Sequence, residues 1–114
     1  MTTQPAIRLA RSFWQRFKGL MFSARLLAGQ ALLIPRCSSV HTLFMRYPLD
    51  LVYLDRNGQV VKLVHGLRPW RVSWGGQTAA HTVEMAAGGI TYCGLALGSR
   101  LTLPMELEEA HASP

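Results

Sequence analysis

The sequence predicts an α+β domain that is mainly β, with a small antiparallel barrel-like or sandwich core and one or two short helices. Three observations carry this expectation. Residues 49–54, Leu-Asp-Leu-Val-Tyr-Leu, form an apolar run of strand length. A second aliphatic run, residues 60–64, follows across Asn57-Gly58, and Asn-Gly between two such runs signals a hairpin. Both runs are apolar on both faces except at Asp50, Lys62 and His65, which suits strands covered on each side.

The elements follow in order. Residues 6–10 alternate weakly through Ile7 and Leu9, as a short first strand does. Ser12 and Gln15 stand at capping-box spacing, and Phe13, Phe17 and Leu20 continue at helical spacing. A helix of about two turns is expected there, ending near Lys18 because Gly19 is a ready left-handed terminator. Residues 31–34, Ala-Leu-Leu-Ile, read as a buried strand closed by Pro35. Residues 36–42 read as irregular, and Pro48 disfavours helix at Tyr47. Beyond the hairpin, residues 66–77 read as a loop and 81–86 as a strand. Gly88-Gly89 marks a turn, 90–95 a short helix, and 100–103 a last strand ended by Pro104.

Length and composition bound the class. At 114 residues the chain holds one core, expected over residues 1–104, with an acidic, frayed tail at 105–114. Apolar residues at 49% against 16% charged argue against disorder. No apolar run approaches the roughly 18 residues of a membrane helix, and residues 1–11 hold no secretory h-region. A soluble, cytoplasmic protein without a membrane partner is the expectation. Two cysteines, Cys37 and Cys93, make no disulfide framework and no C-x-x-C pair, so small buried side chains are expected.

The net charge of +6 is unevenly distributed. Residues 8–100 carry all twelve bases against Asp50, Asp55 and Glu84, and the tail adds Glu106, Glu108 and Glu109. Ten of the bases are arginine, which favours bidentate contact with carboxylate or phosphate. The bases are scattered through every expected element, so a solvated basic surface is the default reading.

Taken together, Arg16, Gly19-Leu20-Met21, Leu32-Leu33-Ile34, Met45 ahead of Pro48-Leu49-Asp50, Asp55, Gly58, Glu84, Gly88 and Gly98 resemble the family called domain of unknown function 192. The resemblance covers about residues 6–104. It implies a small, mostly β fold with one or two short helices and brings no assigned activity. Many members place Trp or Phe just before the Met-containing segment, where this chain has His41-Thr42-Leu43-Phe44.

Three candidate sites stand out. Arg16, Asp50 and Glu84 form the first, because Asp50 and Glu84 are the only acids inside core-like strands and buried charge is costly unless paired. The bland reading is a structural ion pair. The functional one is a pocket for a small polar ligand near Met45, Asp50 and Glu84, with Cys37 and His41 at its rim. A two-residue Asn57-Gly58 turn sets Asp50 opposite His65 across the ladder. Cys37, His41 and Met45 form the second, a soft donor set that suits copper, with His65 or His81 as a further ligand. The plain alternatives are a gap-filling Met and a hydrogen-bonded loop His.

The third is Arg68, Trp70, Arg71 and Trp74, interleaved as in loops that stack bases or grip anions, and equally as in protein interfaces. No known nucleic-acid module matches the chain, which argues against nucleic acid as the partner. No G-x-S-x-G, H-E-x-x-H, phosphate loop or dinucleotide fingerprint is present, so acid–base chemistry through Asp50, Glu84 and His65 has no motif behind it. A binding or accessory domain with no evident cofactor is the favoured expectation.

Overall fold

The computed structural model describes residues 4–9, 29–41 and 47–103, with the side chains of Arg8, Leu9 and His41 left out. Among the described residues seven strands are present: β1 (Ala6–Leu9), β2 (Gln30–Ile34), β3 (Ser39–His41), β4 (Leu49–Leu54), β5 (Val60–Leu67), β6 (Val72–Trp74) and β7 (His81–Ala86). One short helix, α1 (Gly89–Cys93), follows β7. The helix expected over residues 12–18 lies outside the described residues.

Five strands form an open sheet in the order β1-β2-β7-β4-β5, and β3 and β6 form a separate two-stranded sheet. β1 and β2 are parallel, and every other pairing is antiparallel. Among the described residues no barrel closes, since β1 and β5 are edges of the larger sheet. β4 and β7 sit in its middle, which is why both are buried on both faces: every residue of β4 is buried, and all of β7 but Ala86.

The two faces have separate cores. One gathers Ala31, Leu33, Val52, Leu54, Val83 and Met85 under Ile90, Cys93, Leu95, Leu101 and Leu103. The other gathers Leu32, Ile34, Leu49, Leu51 and Tyr53 with Val40 of β3. A Cβ at Gly75, where the chain leaves β6, overlaps the Tyr53 ring and comes within 2.7 Å of Ala79 Cβ. Only glycine fits that approach.

Three expectations need correction. The hairpin loop has three residues, not two: the Gly58 N–H donates to Asp55 O at 3.1 Å, and Asp55 N–H to Gln59 O at 2.9 Å. Gly58 takes the left-handed position (φ 84°) that such a loop requires. The ladder is irregular between Leu49 and Leu51, which pair with Leu67 and Val64, so Asp50 stands opposite a bulge instead of facing His65.

Residues 36–42 and 66–77 were expected to be irregular, yet they contribute β3 and β6. The runs are too short and polar to show a period. Residues 100–103 make no strand: Arg100 forms an isolated bridge with Gln59, while Gly98 N–H donates to Val60 O and Val60 N–H to Ser99 O.

Candidate functional site

The central strands place the two core acids on opposite faces of the sheet. Asp50 pairs in register with Met85, and Glu84 with Leu51 and Leu32, so the core that Asp50 joins is not the one that Glu84 joins. A single pocket holding both carboxylates, as the sequence suggested, is therefore divided by the sheet. The cause is strand alternation, in which Asp50 follows the Val52 and Leu54 face and Glu84 follows the Leu51 and Tyr53 face.

Asp50 is 1% exposed and its carboxylate has three backbone partners. Oδ1 accepts the Gly66 N–H at 2.8 Å, and Oδ2 accepts those of Gly88 and Ile90, each at 3.0 Å. The acid thus fastens the β5 bulge and the first turn of α1 to β4. Its buried charge is met by amide dipoles, and no ion pair is needed to explain it.

Glu84 has no such partner among the described residues. It is 5% exposed between Leu32 and Leu51, and burial pushes its carboxyl up to about 8. At neutral pH it is a carboxylic acid, able to donate one hydrogen bond and to accept others.

Polar groups gather on this same face. Tyr53, fully buried, donates its hydroxyl to Ser73 Oγ of β6 at 2.8 Å. Burial pushes the Tyr53 phenol up, opposed by the Ser73 hydrogen bond and reinforced by nearby Cys37 and Glu84. Thr82 Oγ1 donates to Cys37 O at 2.6 Å, and the half-buried Cys37 thiol donates to Ser39 O at 2.9 Å. Tyr53 and Thr82 went unnoticed in the sequence. Their signal was the alternation that puts 51 and 53 on one strand and 82 and 84 on the next onto one face.

The remaining candidates fall as follows. His41 lies on β3 opposite Val72; its side chain, with Arg16 and Met45, is outside the described residues. His81 is fully buried, and its Nδ1 accepts the Arg36 N–H at 2.9 Å, whereas His65 is exposed. Among the described residues no three His, Cys, Asp or Glu side chains are grouped to hold a metal ion. Cys93 is buried in the α1 core, where burial pushes its thiol up. No helix among the described residues is long and apolar enough to cross a membrane.

The chain and its fold have relatives. The family profile described as "Uncharacterized ACR", domain of unknown function 192, matches residues 2–103. The chain belongs to this family. A UPF0127 protein of Thermococcus sibiricus is 32% identical over 95% of the chain and 71% of its own length. A UPF0127 protein of Pyrococcus furiosus is 37% identical over 83% of the chain and 84% of its own length. A crystal structure from Novosphingobium aromaticivorans, of a protein of unknown function, superposes with a TM-score of 0.73 at 18% identity. It covers 85% of this chain and 74% of its own. At that identity the likeness establishes the fold alone.

Proposed function

We propose that the domain is a binding module for a small polar ligand, recognised on the sheet face that carries Glu84. One observation carries this reading: a carboxyl group on a central strand, 5% exposed and pushed up to about 8 by burial, shares its sheet face with the Tyr53 and Thr82 hydroxyls. Carboxyl groups perturbed so strongly by their surroundings concentrate where ligands bind. Tyr53, Thr82 and Cys37 supply further polar atoms on that face, and Arg16 and Met45 join the proposal from the sequence. Asp50 is assigned to scaffolding because its acceptors are engaged by three amides.

Native mass spectrometry of freshly purified protein tests the reading. The expected result is a retained small-molecule adduct that is lost in Glu84→Gln and kept in a control such as Tyr92→Ser on exposed α1. An adduct that survives Glu84→Gln, or none from any preparation together with no thermal shift across a metabolite panel, overturns it. Copper at Cys37, His41 and Met45 has less support, since the Cys37 thiol proton is committed to Ser39 O.

A further inference from the structure

The described residues carry three carboxyl groups, and all three are engaged or buried. Asp50 accepts three amides, Asp55 Oδ1 accepts those of Asn57 and Gln59 within its own turn, and Glu84 is buried. Against them Arg36, Arg56, Lys62, Arg68, Arg71 and Arg100 are exposed. From Arg56 to Val83 the chain contains no acid at all. Among the described residues the surface around β5 and β6 is therefore predominantly basic.

On this surface stand three large apolar side chains. Trp70 is 56% exposed, Val72 73% and Trp74 57%. Val72 and Trp74 alternate with Ser73, which faces inward to Tyr53, so both project from the outer face of β6. The strand beneath them is fixed: Lys62 Nζ donates to Trp74 O at 2.7 Å, Gly75 N–H donates to Ser38 O at 2.8 Å, and β3 pairs along β6. Trp70 sits at φ 65°, a left-handed conformation that a bulky residue rarely adopts, yet more than half of it is exposed. Core packing does not explain that strain. The Arg71 Nη1 donates to Trp70 O at 3.3 Å, which holds the guanidinium against the Trp70 main chain.

We propose that the outer face of β6, with Trp70, Val72 and Trp74 amid Lys62, Arg68 and Arg71, docks single-stranded nucleic acid. The indoles stack bases and the surrounding bases of the protein meet phosphates. A polyanion matches the predominantly basic charge, and a partner with exposed flat rings matches the two indoles; single strands offer both, while duplexes hide their rings. The family's lack of a known nucleic-acid module argued against this partner from sequence. The exposed Trp70, Val72 and Trp74 beside Lys62, Arg68 and Arg71 are what change the balance.

Fluorescence anisotropy with a labelled oligothymidylate of about 20 nucleotides tests it. Binding is expected at about 50 mM salt and weakens toward about 200 mM, with a log–log slope between about −1 and −3 for two to four phosphates. Trp74→Ala and Trp70→Gly are each expected to lose about 5- to 100-fold in affinity with unchanged circular dichroism. Trp70→Gly also relieves the left-handed backbone, so lost folding cannot account for its loss of binding. Tyr92→Ser, on α1, leaves binding unchanged. Absence of binding at low salt overturns the proposal, as do equal affinities in both Trp variants and the wild type. Equal binding of a duplex or of poly-glutamate also overturns it. So does self-association abolished by Trp74→Ala with no oligonucleotide bound.

Discussion

Replacing Glu84 by Gln removes one titrating group and keeps nearly the same shape, which isolates the effect of burial on the carboxyl. The folded chain holds this proton up to about pH 8, whereas an unfolded glutamate releases it near 4.5. Because the folded value is raised, this group favours the fold fully below the unfolded value. The benefit drains away as pH rises, and the loss levels off above about 8. Linkage gives about 1.4 kcal/mol per pH unit inside that window. Between pH 6 and pH 8 the wild type is expected to lose about 2 kcal/mol relative to Glu84→Gln, allowing for partial ionisation near the upper end. Urea unfolding followed by circular dichroism at several pH values measures this. At a slope of about 1–3 kcal/mol per molar, the difference is a midpoint shift of about 1 M. Subtracting the two profiles cancels the other titrating groups, including the histidines, provided they do not couple to residue 84. Parallel profiles, with a constant offset from pH 6 to pH 8, refute the reasoning.

Other substitutions test the remaining geometry. Asp50→Ala strips the acceptor from the amides of Gly66, Gly88 and Ile90, and a loss of about 3 kcal/mol or more is expected in urea unfolding. Asp50→Asn keeps one carbonyl acceptor and should recover part of it. Gly75→Ala drives a methyl group into the Tyr53 ring and should cost about 1–3 kcal/mol, read as a lowered urea midpoint. Tyr53→Phe removes the hydroxyl that reaches Ser73 and should cost about 1 kcal/mol, with faster amide exchange along β6.

The sequence revealed the strands that are buried along nearly their whole length. Residues 31–34, 49–54 and 81–86 were legible because each is buried on both faces. β3 and β6 were not legible, since three-residue strands are too short for a period and their stability comes from tertiary pairing. The hairpin was visible but its loop length was not. Asp55, whose carboxylate accepts two amides of the turn, favours the three-residue loop, while a separate irregularity between Leu49 and Leu51 moved Asp50 away from His65. For the same reason the importance of Asp50 and Glu84 was legible while their separation was not. A residue's face depends on which strands sandwich it, and β7 inserts between β2 and β4 across long sequence distances.

That insertion governs how the chain reaches its fold. β2 and β4 touch only through β7, so the sheet cannot grow outward from the N-terminus as the polypeptide leaves the ribosome. Until residues 81–86 emerge, β2 lacks its antiparallel partner, and the β4–β5 hairpin presents an unpaired apolar edge on the β4 side. Assembly therefore waits for the last strand, a high-contact-order step of the kind that folds slowly and leaves strand edges open to wrong partners.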